Sequence, residues 1–167
     1  FEEKVKEGNE VVYVSFSSEL SGNIQSAKIA AKEVMERNEG SKIYVVDSKA
    51  ASMGQGLLVC MAAEKKKEGL TAKELVEYIE EIRDKVCHYG VADDLNHLKR
   101  GGRISSSAAL IGTVMGIKPI LTVDKTGKLY SNQKIRGKKA ALNLLADKME
   151  EKVVDPNNQV VFIAHAD

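Results

Sequence analysis

Apolar runs alternate with amphipathic segments in the first half of the chain, and this alternation restricts the possible folds more than any other feature. Strands are predicted at residues 11–16 (VVYVSF) and 42–47 (KIYVVD), where apolar side chains are continuous. Thr71 and Glu74 have the spacing of a capping box, which predicts the start of a helix. Strands and helices in alternation are typical of a parallel sheet, so we predict an α/β domain for residues 1–87. The helices that we predict in this domain span residues 24–37, 53–67 and 71–86.

The second half combines a hairpin pattern with helices. Residues 117–123 and 128–135 flank the turn sequence DKTG, which predicts two antiparallel strands. This mixture predicts an α+β domain for residues 88–167. Because the chain opens on the helix-like FEEKVKEG and closes on the strand-like VVFIAHAD, we expect it to be the central part of a longer protein. The other predicted elements are a strand at 88–92, helices at 94–99, 108–115 and 138–153, and a last strand at 159–164.

Composition and charge exclude several classes of partner. The chain has 25 lysines and arginines against 24 aspartates and glutamates, a net charge of +1. This balance provides no reason to expect nucleic acid or an anionic membrane surface as partner. The apolar runs are too short for a transmembrane segment, and the N-terminus does not resemble a signal peptide. Cys60 and Cys87 lie in apolar, helical surroundings, which predicts buried reduced thiols and a cytoplasmic protein.

The first predicted strand leads into the first predicted helix through three hydroxyls and a glycine, in the sequence SSELSG. Backbone N–H groups at a helix start are unpaired and carry a partial positive charge, and serine hydroxyls add donors. The turn is therefore suited to a carboxylate or a phosphate, with Ser17, Ser18 and Ser21 as donors. Gly22 would let the ligand come close to the backbone. The sequence equally allows Ser18 or Ser21 to be a plain helix N-cap.

Two further segments repeat this arrangement. DSKAASMGQG, at residues 47–56, again leads from a strand into a helix, and Gly54 and Gly56 favour close approach of a ligand or of a packed helix. The third glycine of a dinucleotide-binding fingerprint is missing, so a Rossmann cofactor site is excluded. LKRGGRISSS, at residues 98–107, places Arg103 between two glycines and a serine run. Its guanidinium fork suits a carboxylate or a phosphate, and a solvated basic turn is the alternative.

Motifs for catalysis and metal binding are missing from the sequence. It contains no G-x-S-x-G elbow, no Walker loop and no HExxH. The histidines His88, His97 and His165 do not have metal-ligand spacing with another histidine, a cysteine or a carboxylate. We therefore predict no catalytic residue and no metal site.

Taken together, these segments resemble the DegV family. SSELSGNIQSA is similar to its SSxLSGTYQSA element, and VVDSKAASMGQG is similar to its V-[IV]-DS…S-x-G-x-G segment. DDLNHLKRGGRISSSAALIGTVMGIKPIL closely resembles DDLxxLxxGGRIs…A…G…L.IKPIL, and GKLYSNQKIRGKKAAL matches G-x-L…K-x-RG-x-K-x-A. The matches occur in the family's order and cover nearly the whole chain. The early TSQP motif and the late GPxxxxHxGxG motif are absent, as expected of a central fragment.

The resemblance implies a non-catalytic lipid carrier. DegV-like proteins bind a long-chain fatty acid in a tunnel between two α/β domains, and some present it to a separate fatty-acid kinase subunit for phosphorylation. The fatty acid is then the ligand, and no other cofactor is expected. Ser18 is the best match for the family's carboxylate-binding serine, and Ser17 is the second. Arg103 matches the GGRI arginine and is a candidate for contact with the kinase subunit or with phosphate. The predicted ligand-binding residues are Ser17, Ser18, Ser21, Gly22, Gly54 and Arg103.

Two enzyme classes are the alternatives to a carrier. A phosphoryl-transfer enzyme would bind phosphates at the helix starts near Ser18, Ser48 and Ser105, with Arg103 stabilising negative charge. A serine hydrolase would use Ser18 as its nucleophile, but the sequence identifies no base for it.

Overall fold

A computed structural model describes residues 1–93, 95–104 and 116–165, and only the backbone of Asn132. The predicted helix at residues 108–115 lies outside the described residues. The same is true of Ser105 in the phosphoryl-transfer alternative.

The chain divides into two compact units. The first comprises Phe1–Val86 together with residues 162–165, and the second comprises Cys87–Val161. The assignment of residues 1–87 and 88–167 to two domains stays a prediction. Among the described residues, no helix has both the length and the apolar character needed to cross a bilayer.

A two-stranded parallel sheet lies at the centre of the first unit, as predicted. Strand β1 (Val11–Ser15) pairs with strand β2 (Ile43–Asp47), with Ser15 opposite Asp47 at the carboxyl end. The helices of this unit are α1 (Glu2–Lys6), α2 (Asn23–Arg37), α3 (Ser52–Lys67) and α4 (Ala72–Ile82), followed by the 3-10 turn Arg83–Lys85.

Helices cover both faces of this sheet, because alternate side chains of a strand point to opposite faces. On one face, Ile43 packs with Ala31 and Val34 of α2. On the other face, Val46 packs with side chains of both α3 and α4, among them the fully buried Ile79. This three-layer arrangement confirms the α/β prediction for this part of the chain.

The predicted capping box marks the start of α4. The Thr71 hydroxyl oxygen accepts the Glu74 N–H, and the Glu74 carboxylate accepts the Thr71 N–H at 2.8 Å. Bonds from the Thr71 hydroxyl and backbone also hold the pKa of Glu74 below its ordinary value. Two orphan backbone donors of the helix start are thereby satisfied.

The second unit contains an antiparallel sheet in the order β3–β4–β5. Its strands are β3 (Tyr89–Val91), β4 (Ile117–Val123) and β5 (Leu129–Arg136). Helix α5 (Asn96–Arg100) follows β3, and helix α6 (Lys138–Lys152) follows β5. The pairing of β4 with β5 confirms the predicted hairpin, and the unit as a whole is α+β as predicted.

The hairpin turn is built around Asp124, which opens the DKTG sequence. Its Oδ1 accepts the hydroxyl of Thr126 at 2.6 Å and the backbone N–H groups of Thr126 and Lys128 at 2.8 and 3.1 Å. Gly127 adopts a φ of 94°, a conformation that glycine reaches without a steric penalty. The turn residues therefore form the connection that their sequence predicts.

Two predictions from the sequence were wrong. Residues 159–164 do not form a strand, and Val160, Val161 and Ile163 are exposed. A strand requires a hydrogen-bonded partner, and neither described sheet includes this segment. Cys60 and Cys87 are exposed rather than buried, since each lies on a solvent-facing side of its segment.

Candidate functional site

The carboxyl ends of β1 and β2 bring two of the predicted turns together. Beyond the last paired residues, the Ser48 N–H donates to the Ser15 carbonyl at 3.1 Å. The Ser17 N–H donates to the Ala50 carbonyl at 3.0 Å. In parallel α/β sheets ligands bind at this edge, because strand ends and helix starts meet there. The first and second turns therefore form one candidate site.

Ser17 forms the floor of the first turn. Its side chain is fully buried, and its carbonyl accepts the N–H groups of Leu20 and Ser21, each at 3.1 Å. Its hydroxyl oxygen accepts the Glu19 N–H at 3.3 Å. These bonds fold the chain back after β1. Ser17 therefore has a structural role in the turn.

Ser18 is the exposed hydroxyl of this turn. Its backbone N–H donates to Oδ1 of Asp47 at 3.3 Å. Within the described part of the chain, no group forms a hydrogen bond with the Ser18 hydroxyl. A ligand at this edge of the sheet can therefore reach the hydroxyl of Ser18, whereas that of Ser17 is enclosed.

The start of α2 resolves the alternative that a serine is merely the helix cap. The N-cap residue is Gly22, which has no side chain to form a capping hydrogen bond. Ser21 nevertheless accepts the Asn23 N–H at 3.2 Å, so one donor of the first turn is already satisfied. This bond reduces the number of free N–H groups that a phosphate could use at α2.

Asn23 is a residue of this edge that the sequence reasoning missed. Its Oδ1 accepts the Tyr13 hydroxyl at 2.8 Å and the hydroxyl of the fully buried Ser15 at 3.3 Å. It therefore links the end of β1 to the first turn of α2. A polar residue directly after the helix N-cap was the available signal, but no pattern indicated its partners.

The second turn contains two residues in a rare backbone conformation. Lys49 and Ser52 have φ values of 50° and 48°, in the left-handed region that most non-glycine residues avoid. Each costs on the order of 1–3 kcal/mol, which the surrounding contacts must offset. Buried Ser48 contributes to this, since its Oγ accepts the Ala50 N–H at 3.1 Å. Such conformations are concentrated at functional sites.

The two glycines of α3 have different neighbours. A Cβ on Gly56 would lie 3.9 Å from the ring of Phe162, which is ordinary van der Waals contact. The Gly54 N–H donates to the Ala51 carbonyl at 3.0 Å, in the first turn of the helix. Close approach of a ligand to Gly54 stays a prediction.

The third predicted segment belongs to the second unit. Arg103 is exposed, follows Gly102 at a φ of 73°, and donates from Nη1 to the Gly101 carbonyl. The next residue, Ile104, is buried against Leu95 and fixes the turn to this unit. Arg103 is thus presented on a folded turn, and its predicted contacts with a partner remain predictions.

Lys118 and Asp93 form an ion pair in the second unit. Lys118 Nζ lies 2.6 Å from Oδ1 of Asp93, and this hydrogen bond holds the pKa of the Asp93 carboxyl below its ordinary value. Asp93 therefore keeps its negative charge to lower pH than a free aspartate does.

A groove of about 400 Å³ with a mixed polar and apolar lining runs along β1 on the side of α3 and α4. Val12 and Val14 of the strand face Val59 and Ala63 of α3 across it, and Lys66 lies at its rim. None of the predicted ligand-binding residues lines this groove.

The arrangement of potential metal ligands and catalytic groups can be compared within the described residues. No cluster of three or more histidines, cysteines or carboxylates in the described ranges could hold a metal ion. A nucleophilic serine needs a base within hydrogen-bond reach, and the Ser18 hydroxyl has none among these residues. The arrangement instead offers a hydrogen-bonding hydroxyl at a sheet edge.

Fold and site together define a class of protein: a mixed α/β protein with a small parallel sheet, a separate antiparallel sheet, and polar turns at the carboxyl edge of the parallel strands. The family model described as "Uncharacterised protein, DegV family" matches residues 1–167. The chain belongs to the DegV family.

Sequence relatives and solved structures agree with this assignment. A DegV domain-containing protein of Clostridium perfringens is 47% identical over 167 residues, which are 100% of this chain and 57% of that protein. A DegV family protein from Eubacterium eligens, solved loaded with heptadecanoic acid, is 25% identical with a TM-score of 0.80. That match covers 86% of this chain and 52% of the solved chain.

A third similar protein is the fatty acid kinase (Fak) B3 protein of Streptococcus pneumoniae, solved loaded with linoleic acid. It is 28% identical with a TM-score of 0.81, over 89% of this chain and 53% of its own. The chain thus spans about half the length of the relatives that it matches.

Proposed function

We propose that the protein binds a long-chain fatty acid, with the carboxylate at the SSELSG turn and the acyl tail buried. The observation that carries this proposal is the exposed hydroxyl of Ser18 at the carboxyl edge of the parallel sheet, in a family whose solved relatives hold fatty acids. A hydroxyl donates to a carboxylate through a charge-assisted hydrogen bond. Ser21, Gly22 and Gly54 are the other proposed ligand-binding residues, whereas the enclosed Ser17 shapes the turn and Arg103 is proposed for a partner contact.

The proposed ligand class has a favourable energetic basis. Burying about fourteen methylene groups contributes on the order of 10 kcal/mol before the costs of association are subtracted. The carboxylate needs only one or a few directed bonds to orient the molecule, because the apolar tail supplies most of the affinity. A single accessible serine is sufficient for that orienting role.

The protein in this proposal is a carrier in the bacterial cytoplasm and has no catalytic residue of its own. A separate fatty-acid kinase subunit would phosphorylate the bound carboxylate, with Arg103 as a contact for that subunit or for phosphate. Support comes from the similarity to the fatty acid kinase B3 protein and from the exposure of Arg103.

Native mass spectrometry of the protein purified from cells tests the ligand class. We expect bound acids of about 14 to 18 carbons, because tails of this length have enough methylene groups to contribute on the order of 10 kcal/mol on burial. A protein that is consistently recovered without lipid, and that does not take up oleate after purification, would contradict the proposal.

The Ser18→Ala variant tests the carboxylate contact. We expect the affinity for oleate to fall by about 1.5–3 kcal/mol, or roughly 10- to 150-fold, because a charge-assisted hydrogen bond is lost. Isothermal titration of delipidated protein measures the change. Ser26→Ala, which removes an exposed hydroxyl from α2, is the matched control and should bind oleate like the wild type.

A further inference from the structure

Asp47 connects the two turns of the candidate site through one carboxylate oxygen. Oδ1 of Asp47 accepts the N–H of Ser18 at 3.3 Å and the N–H of Lys49 at 2.9 Å. We propose that Asp47 is the positioning residue for the ligand-binding hydroxyl of Ser18. This inference rests on the proposed function, because it assigns a residue that prepares the same site.

The register of the sheet places Asp47 where it can perform this role. Asp47 is the partner of Ser15 in the last parallel pair, so its side chain lies at the level at which β1 leaves the sheet. Only two residues separate Ser15 from Ser18. A short acidic side chain at this register can therefore reach the backbone of the first turn while its own strand remains paired.

The bond to Asp47 determines which part of Ser18 is available. Buried Ser17 stabilises the turn through its hydrogen bonds with the backbone N–H groups of Glu19, Leu20 and Ser21. The backbone N–H of the exposed Ser18 donates to the Asp47 carboxylate. With the N–H occupied, the hydroxyl is the group that Ser18 offers to a ligand.

Asp47 is itself held by residues that follow α4. Nη1 of Arg83 donates to the Asp47 carbonyl at 2.8 Å, and the Arg83 side chain is only 18% exposed. Oδ1 of Asp84 lies 3.0 Å from Nζ of Lys49, the residue with a φ of 50°. The 3-10 turn after α4 thus holds the Asp47 backbone and the Lys49 side chain, which limits the freedom of the Asp47 carboxylate.

The charge of Asp47 indicates that it acts through the backbone and not by touching the ligand. Two carboxylates at close range repel each other, so the Asp47 carboxylate would disfavour a ligand carboxylate in direct contact. Its contribution is to keep the turn in a binding-competent shape. Loss of the acceptor should therefore lower the affinity, whereas loss of the charge alone should not.

The test compares Asp47→Ala with Asp47→Asn by titration of the delipidated protein with oleate. Asp47→Ala removes the acceptor, and we expect the affinity to fall about tenfold. Asp47→Asn keeps an Oδ1 acceptor for both amides and removes the negative charge, so its affinity should equal or exceed that of the wild type. Glu19→Ala, which removes an exposed charge from the same turn, is the matched control and should bind normally.

Amide hydrogen exchange supplies a readout that does not depend on lipid. Exchange at the Ser18 and Lys49 amides should accelerate in Asp47→Ala and stay slow in Asp47→Asn, while the amides of β1 that pair with β2 are unchanged. Asp47→Ser, whose side chain is too short to reach both amides, should show the same loss as Asp47→Ala and serves if the alanine variant does not fold.

The possible failures are distinguishable. If the wild type binds no oleate, the proposed function is wrong, and the exchange rates still decide whether Asp47 holds the turn. If the wild type binds oleate and Asp47→Ala binds it equally well, the positioning role is overturned. Equal loss of affinity in the alanine and asparagine variants would also overturn the positioning role. An Oδ1 acceptor at position 47 would then not be sufficient to keep Ser18 in place for binding.

Discussion

Ser17, Ser18 and Ser21 have different roles in the first turn because their side chains differ in burial and in partners. Ser17 is enclosed and bonds the turn internally, and Ser21 satisfies an N–H at the start of α2. Ser18 is exposed, and its backbone is held by Asp47. At the scale of single residues, the proposed ligand contact therefore rests on one serine, while its neighbours maintain the shape of the turn.

Asn23 provides a prediction at this scale. Asn23→Ala removes the acceptor for Tyr13, and we expect the free energy of unfolding to fall by about 1 kcal/mol, because the Ser15 hydroxyl keeps the Phe16 carbonyl at 2.9 Å as its acceptor. Urea denaturation measures the change. Gln25→Ala, at an exposed position of the same helix, should cost less than about 0.5 kcal/mol. Equal stability of the two variants would show that Asn23 does not link β1 to α2.

At the scale of elements, the two units use different kinds of connection. In the first unit, polar turns lead from parallel strands into helices, and these turns form the candidate site. In the second unit, a tight turn joins two antiparallel strands, and Asp124 bonds this turn internally. The hairpin is thus stabilised locally, whereas each turn of the site depends on residues far away in sequence.

The Asp124 turn should give a pH-dependent contribution to stability. The bond from the Thr126 hydroxyl, followed by bonds from backbone N–H groups, holds the pKa of Asp124 below its ordinary value. A carboxyl whose pKa is lower in the folded state stabilises that state above its unfolded pKa of about 3.9. This contribution is lost as the pH falls through the lower folded pKa.

Asp124→Asn tests this dependence. The wild type should be more stable than the variant from about pH 5 upward, and the difference should disappear toward about pH 2. Chemical denaturation over this range measures it. Glu150→Gln, at an exposed carboxyl of α6, is the control. A difference between wild type and Asp124→Asn that is constant over this pH range would contradict the assignment.

At the scale of the whole molecule, the proposed activity uses both compact units. Ser18 and Asp47 belong to the first, and Arg103 belongs to the second. In the proposed function Ser18 contacts the ligand, Asp47 positions Ser18, and Arg103 contacts a kinase subunit. Each role can therefore be removed without removing the other.

Arg103→Ala tests this division. We expect oleate affinity to stay within about twofold of the wild type, while the rate of phosphorylation by the fatty-acid kinase subunit falls roughly 10- to 100-fold, because a charged contact is lost. Arg100→Ala, at the neighbouring exposed arginine, is the control and should retain most of the rate. A parallel loss of oleate affinity would instead place Arg103 in the lipid site.

Local pattern was sufficient to predict most elements of this fold. The parallel strands, the helices that cover them, the Thr71–Glu74 capping box and the β4–β5 hairpin all follow from side chains close together in sequence. These features were predictable because periodicity, capping and turn chemistry act over a few residues. The same local information identified the serine turn as polar and glycine-rich.

Features that depend on distant residues were decided only by the tertiary structure. Residues 159–164 have the composition of a strand but lack a place in either described sheet, and Cys60 and Cys87 face solvent although their segments are apolar. The contact of Asp47 with Ser18 joins the end of β2 to the turn that follows β1. The sequence by itself determined which segments form strands, helices and polar turns, because those preferences are local. Strand pairing, and the burial of Ser17 beside an exposed Ser18, arose only when the strands aligned, because each depends on which groups meet in space.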